Sequence, residues 1–466
     1  MSEHARPNIL LIVTHDLGTR LGCYGETSVR TPRIDALAAQ GMRLDNHFAT
    51  ACFCSPSRGS LITGKHPHVN GLMGLVNLGW TMAPGHATDA PLLSAAGYET
   101  HLLGLQHEAP DSATLGFDHV WGESNHCDKV AARAAQTLAA LGESGETPWY
   151  MRIGFAQVHR PYENDEPADP ATVNVPAHMR DTPGARQDLA MMHGAIGRMD
   201  HAVGDILDAL DASDQADDTL VVFTTDHGIA FPRAKATLYD PGLRVAMTVR
   251  LPGVIAPGSS TDALTSHVDV LPTFLQSAGA PVPEDMQGRS LLGLLRGERT
   301  THHTQLFAGQ SPAASDVERS IRTATHKNNL NYHEGPLLAL PTDVEASLTR
   351  RDMGNDHLAA RPAVELYDLQ ADPDETQNLA GDSTHAGIEA KLADELNRFQ
   401  RETHDPILRG PLQRPAVERE KVTASMQRCQ SLSAYPREQL RSAFDSPWSL
   451  NDGRVIRDMP PQPRAV

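Results

Sequence analysis

The stretch Cys54-Ser55-Pro56-Ser57-Arg58-Gly59-Ser60-Leu61-Ile62-Thr63-Gly64-Lys65 governs how the rest of the chain is read. Pro56 suits the first turn of a helix, where its missing N–H has no partner to lose, and the Gly-Ser-Leu run behind it continues the turn. A helix that begins here aims its first backbone amides, and the positive end of its dipole, at any anion lying in front of Cys54. Arg58 adds a permanent cation within reach of the same point. A bare pattern of this kind also describes a buried cysteine at a loop-to-helix junction with a solvated arginine, so the surrounding sequence has to discriminate.

Outward from this stretch, short apolar runs alternate with amphipathic ones, the pattern of a mostly parallel α/β sheet. Residues 9–13, 150–155 and 219–224 read as buried strands. Between them, residues 200–210 place Met199, Val203, Ile206, Leu207 and Leu210 on one helical face. Residues 32–40 form a shorter helix, with Thr31 as N-cap and Pro32 in its first position. Ligands of such sheets sit beyond the carboxyl ends of the strands. His15-Asp16 follows the first strand and Asp226-His227-Gly228 follows residues 219–224, so two acid-and-imidazole pairs occupy equivalent strand ends. That is what a discontinuous metal site needs, although Asp16 could also cap a helix.

Past residue 300 the texture changes to short strand-like pieces (305–308, 320–325, 365–369) and a helix over about 387–401. The predicted fold class is α/β: a large mixed, mostly parallel sheet flanked by helices, with a smaller C-terminal α+β domain. The expected division is a catalytic unit over 1–300, the smaller domain over 301–410, and a loosely ordered or wrapping tail over 411–466, rich in polar residues and Pro with few apolar anchors.

The formal net charge of −18 argues against nucleic acid or an anionic membrane as a partner. An anionic substrate must then be drawn by a local cluster of cations, not by the overall field. The cysteines (Cys23, Cys52, Cys54, Cys127, Cys429) are five, with no C-x-x-C spacing, which fits neither a zinc ribbon nor a disulfide framework. The N-terminal apolar run is too short for a signal peptide or a membrane span, so a cytoplasmic enzyme is the expected setting.

With Cys54–Gly64, Gly197-Arg198-Met199-Asp200, Asp226-His227-Gly228, Glu365-Leu366-Tyr367-Asp368 and Glu402-Thr403-His404-Asp405-Pro406 in view, the chain resembles the sulfatases of the alkaline phosphatase superfamily. Within them it looks most like the N-sulfoglucosamine sulfohydrolase (sulfamidase) branch. The resemblance implies an alkaline-phosphatase-like fold, and it implies that Cys54 is oxidised by a formylglycine-generating enzyme, or an equivalent, to a formylglycine nucleophile. It places Asp16, Asp226 and His227 on metal-ligand positions, with His15 and residue 54 beside them. Arg58 falls where the family steadies the nucleophile and the sulfate, and His107 on a histidine that assists release of sulfate. His159 falls on a histidine that contacts sulfate or protonates the leaving group, Lys235 on a sulfate-binding cation, and His404 and Asp405 on pocket positions. A small imported sulfated saccharide is the implied substrate, and a homodimer is compatible with the family.

Two departures from the family pattern stand out. Members usually carry two consecutive aspartates after the first strand, where this chain has His15. Calcium, the usual ion, prefers oxygen ligands, and imidazole moves the site towards Mn²⁺ or Zn²⁺; the resemblance itself favours calcium. Leu105 stands where the family commonly has a lysine, and Lys65, Arg160 and Arg233 are the cations that could compensate. The expected activity is hydrolysis of an N-sulfate on glucosamine or of a sugar O-sulfate. The alternatives are a phosphonate or phosphodiester hydrolase of the same superfamily, and a non-catalytic relic that binds sulfated glycans.

Overall fold

Apolar runs without polar interruption need cover on both faces, and the fold supplies it by setting helices on either side of one large sheet. The computed structural model describes residues 6–145, 147–162, 165–311, 317–412, 414–418, 420, 421 and 424. In chain order the strands are β1 (Asn8–Thr14), β2 (Met42–Leu44), β3 (His47–Phe48), β4 (Glu99–Gly104), β5 (His119–Trp121), β6 (Trp149–Gly154) and β7 (Thr219–Thr225), followed by β8 (Met247–Arg250), β9 (Ser259–Thr261), β10 (Thr265–Ser266), β11 (Gln305–Gln310), β12 (Glu318–Thr323), β13 (His326–Asn331) and β14 (Val364–Asp368). The large sheet has the order β5-β4-β6-β1-β7-β8-β2-β9. β8 alone runs against its neighbours, so the expected mixed, mostly parallel sheet is what forms.

The period of two along each strand divides the core. Leu10, Ile12, Leu103, Met151, Ile153, Val221 and Phe223 face the helices Cys127–Ser144 and Pro183–Ala212. Ile9, Leu11, Leu102, Tyr150, Leu220 and Val222 face Cys54–Thr63 and Val270–Ser277 on the other side. The helix expected over 200–210 is the end of a 30-residue helix that begins at Pro183, capped where Thr182 Oγ1 accepts the Ala185 N–H at 3.2 Å. Thr31 does precede the helix Pro32–Gln40, but its hydroxyl donates to Asp35 Oδ1 at 3.0 Å and does not cap the helix.

The C-terminal part is a four-stranded antiparallel sheet, β11-β12-β13-β14, with the helix Ala386–Glu402 laid on it through Ile321, Leu366, Leu392 and Leu396. Most of the expected 411–466 tail lies outside the described residues. Its described beginning packs on the larger unit, where Trp80 Nε1 donates to Glu418 Oε1 at 3.2 Å. Among the described residues, no helix is long and apolar enough to cross a membrane.

Because β4, β6, β1 and β7 are consecutive in the sheet, their carboxyl ends open side by side. Glycine permits the closest approach there. Past the strand ends, Leu105 N donates to Gly154 O at 2.8 Å, and a Cβ on Gly154 would stand 1.9 Å from the Leu105 carbonyl oxygen. Gly154→Ala should therefore push the β4 and β6 ends apart, lowering stability in urea by about 3 kcal/mol, the upper end for overpacking. Catalytic turnover per folded molecule should fall with it, because the segments carrying His107 and His159 leave these two strands; unchanged stability would contradict the packing described.

Candidate active site

Each of the four strand ends contributes an imidazole: His107 after β4, His159 after β6, His15 after β1 and His227 after β7. The rings of His107, His159 and His227 lie with their centroids 6.4, 4.7 and 6.1 Å from that of His15. Two carboxylates accompany them, and both are fully buried. The Asp16 N–H donates to Asp226 Oδ1 at 3.0 Å, joining the β1 and β7 ends directly. Asp16 takes a left-handed φ of 52° to make this turn, a conformation that costs a non-glycine residue about 1–3 kcal/mol.

Cys54 is the first residue of the helix Cys54–Thr63, in which every residue is buried. No side chain caps that helix, so its leading amides remain directed at the cluster. Two side chains tie it to the strand ends. Arg58 Nε donates to Asp226 Oδ2 at 3.0 Å while its Nη2 donates to Thr14 O at 2.8 Å. Ser57 Oγ bonds the Asp226 carbonyl oxygen and lies 2.9 Å from His267 Nδ1. These bonds seat the Cys54 thiol among His15, Asp226 and His227, where the four ligand-type atoms all fall within 4.8 Å of one another.

The charges respond strongly to this crowding. Burial pushes the Cys54 thiol up, but His15 and His107 outweigh it and hold the thiol well below its usual value. Burial disfavours charge on His15, yet Asp226, Asp16 and Cys54 raise its pKa to about 10. Burial would also raise Asp16, and Lys235 followed by His15 keeps it well below the usual carboxylate range. A point where buried anions recruit positive charge this strongly suits a cation. His227 is oriented for one: Nδ1 lies 2.9 Å from Gly228 O, while Nε2, 3.1 Å from Asp16 Oδ1, has no hydrogen-bond partner. Asp16, Asp226, His227 and His15 thus make an oxygen-and-nitrogen donor set that fits a divalent ion.

The outer wall is Lys235. Its Nζ donates to Asp16 Oδ2 and to Asp343 Oδ2, both at 2.8 Å, and lies 3.3 Å from His159 Nε2. Asp343, on the short helix Thr342–Glu345, was not singled out from sequence, because the stretch around it carries no motif. The only available signal was Pro341 before an acid in a first helical turn.

The architecture and the sequence similarities agree. The family profile described as "Sulfatase" matches residues 7–280, and a second, "N-sulphoglucosamine sulphohydrolase, C-terminal", matches residues 228–334. The chain belongs to the sulfatase family. It is 31% identical to human N-sulphoglucosamine sulphohydrolase over 87% of this chain and 92% of that protein. It is similar in fold to the protein BT4656 in complex with its substrate D-glucosamine-2-N,6-O-disulfate (TM-score 0.67, 20% identity, covering 86% and 99% of the two chains). It is also similar to the phosphonate monoester hydrolase of Agrobacterium radiobacter (TM-score 0.68, 21% identity, covering 88% and 100%). This sulfatase is accordingly a hydrolase of sulfuric esters or sulfamates.

Several sequence expectations lie away from the cluster. Asp405, taken as a pocket residue, is buried and holds Arg319 through both oxygens at 2.6 and 2.9 Å, while also accepting the Ile407 N–H. His404 beside it is exposed. The cations proposed to replace the lysine missing at Leu105 are engaged elsewhere. Lys65 pairs with Asp285, and Arg160 pairs with Asp188 and donates to Ala230 O. Arg233 donates to the carbonyls of Asp374 and Glu375. The lysine that does reach the sulfatase cluster is Lys235.

Asp405 gives a direct check on this division. Burial would raise its pKa, but Arg319 holds it below the ordinary carboxylate range, so its stabilisation is complete above about pH 4 and is lost as the pH falls further. Asp405→Asn leaves Arg319 buried and unpaired and should cost about 3–5 kcal/mol at neutral pH. Sulfatase turnover per folded molecule should not change; a selective rise in KM without loss of stability would return Asp405 to the pocket.

Proposed function

We propose that this sulfatase removes sulfate from a small sulfated saccharide, the N-sulfate of glucosamine or a sugar O-sulfate, using formylglycine made from Cys54. The proposed resident ion is divalent, calcium by family resemblance with Mn²⁺ or Zn²⁺ as alternatives, held by Asp16, Asp226, His227 and His15. The observation that carries this reading is the placement of Cys54, at the uncapped start of a buried helix and inside a ring of imidazoles and carboxylates. Similarity to human N-sulphoglucosamine sulphohydrolase along nearly the whole length supports the N-sulfate. A formylglycine-generating enzyme or its equivalent is the partner that this chemistry requires.

When present, the hydrated formylglycine supplies one hydroxyl to attack sulfur and a second whose deprotonation re-forms the carbonyl, and the cation supplies Lewis acidity. The chain's own residues do the rest. Arg58, one helical turn beyond residue 54 and anchored at two nitrogens, holds a permanent positive charge beside the reacting side chain. His107 reaches the residue-54 side chain, so it can take or return a proton there. Lys235 balances sulfate charge from the opposite wall. His159, in contact with Lys235, is placed to protonate the leaving atom, a requirement when that atom is an amine nitrogen. Buried walls keep bulk water from competing for these charges.

Sulfate release from glucosamine N-sulfate and from an aryl sulfate tests the reading. We expect turnover of the N-sulfate, loss of it in Cys54→Ala, and a fall of about 10²–10³ in kcat for Lys235→Ala. The peptide spanning Cys54 from the native host should be about 18 Da lighter than its thiol form, as replacement of the thiol by a carbonyl requires. A converted residue 54 with turnover of neither substrate would reject the proposal. The imidazole-rich donor set favours a second reading, phosphonate ester hydrolysis, which would be selected by faster turnover of a phenylphosphonate ester than of either sulfate after loading with Mn²⁺.

A further inference from the structure

A second group of metal-ligating side chains lies at the edge of the large sheet, away from the active site. Glu99 and His101 are two residues apart on β4 and therefore share a face; His119 on β5 is the register partner of His101. Thr100, on the opposite face, donates to Asp118 Oδ2 from its backbone N–H at 2.9 Å and from Oγ1 at 2.8 Å, which fixes the two strands in this register. The rings of His101 and His119 consequently stack, with centroids 4.7 Å apart and planes 18° from parallel. Both Nε2 atoms turn towards one oxygen: Glu99 Oε1 lies 3.1 Å from that of His101 and 3.0 Å from that of His119.

His101 is 5% exposed, and among the described residues its Nε2 makes no well-formed hydrogen bond, with Glu99 Oε1 as its polar neighbour at 3.1 Å. A buried ring nitrogen aimed at a carboxylate oxygen that a second imidazole nitrogen also faces is a ligand orientation. The spacing agrees: zinc bonds of about 2.0–2.1 Å at tetrahedral angles separate neighbouring ligand atoms by about 3.3 Å.

A comparable trio elsewhere fails this test. In Asp269, His302 and His303, Arg289 Nη2 donates to His303 Nδ1 at 2.7 Å, which leaves the ring proton on Nε2, where it is donated to Asp269 at 2.9 Å. His303 there is a satisfied hydrogen-bonding group with no lone pair to offer.

We propose that Glu99, His101 and His119 form a second metal site, for a borderline divalent ion such as Zn²⁺, that clamps the edge strand β5 to β4. Two imidazoles and one carboxylate suit Zn²⁺ far better than Ca²⁺, and His119, 57% exposed, leaves a side open for a water ligand. The clamp has a structural reason: β5 has three residues, pairs among the described residues with β4 alone and carries an exposed Val120. The site is separate from the catalytic one. Glu99 begins β4 and Gly104 ends it, so about 16 Å of strand lies between Glu99 and the carboxyl end that precedes His107.

The full-length protein, stripped with a chelator and dialysed against Zn²⁺, provides the test by metal analysis and thermal unfolding. His119→Ala and Glu99→Gln should each bind one zinc fewer than the wild type and should show a smaller zinc-dependent rise in Tm. His201→Ala, which removes an exposed histidine outside any cluster, should match the wild type in both measurements. Sulfatase turnover should be unchanged in all three variants. A wild-type zinc count in His119→Ala would overturn the site, and an undiminished zinc-dependent rise in its Tm would overturn the clamp.

Discussion

Two carboxylates, Asp16 and Asp226, are buried side by side at the ends of neighbouring parallel strands, and the surrounding structure answers that constraint. An ionised carboxylate removed from water is tolerated only when hydrogen bonds and opposite charge replace the lost hydration. Asp226 Oδ1 receives the backbone N–H groups of Asp16 and His227, and its Oδ2 receives Arg58. Asp16 receives Lys235 and faces both His15 and His227. The Cys54 helix is positioned as a consequence: Arg58 cannot reach Asp226 and the Thr14 carbonyl together unless the start of its helix lies over the β1 and β7 ends.

The same constraint explains how an acidic protein handles an anionic substrate. The chain carries a net charge of −18, so its long-range field repels sulfate. The cluster sets cations beside its carboxylates within a few ångströms, where low dielectric makes each charge count for more and screening by salt is weak. Arg58, Lys235 and the amides of an uncapped helix all converge on the volume in front of residue 54. Specificity and catalysis are thus properties of one small pocket, with the remaining surface free to serve solubility.

Most of this site was legible in the sequence, because the chemistry sits directly behind signals that are local. Apolar runs marked β1, β6 and β7, and polar residues within a few positions of their ends, His15, Asp16, His159, Asp226 and His227, are the ones that converge. The Cys54 helix announced itself through Pro56 and the small residues behind it. What escaped was decided by partners distant in sequence. Asp343 meets Lys235 across more than a hundred residues, through a segment without periodicity. Arg160 looked available for sulfate, but Asp188, on the long helix, holds it. Asp405 sat in a string that resembles the family's, and only the fold reveals Arg319 beside it. The start of that long helix at Pro183 was missed because Gly184, Gly194 and Gly197 weaken its helical signal.

Asp343 also bears on the departure at Leu105. Leu105 brings no charge to the pocket, and Asp343 sets a carboxylate against Lys235, so the wall facing the leaving group has its lysine charge offset. For an O-sulfate, whose leaving oxygen departs as an alcohol, that change only weakens the hold on sulfate. For an N-sulfate the leaving nitrogen must gain a proton and ends as an ammonium, a cation born at the same wall. Asp343 Oδ2, 3.7 Å from His159 Nε2, stands where such a cation would be stabilised and where His159 would be held in the orientation to donate. A carboxylate paired with Lys235 is thus a handicap for one leaving group and an advantage for the other, which adds to the support for placing the sulfamate first in the proposed reading.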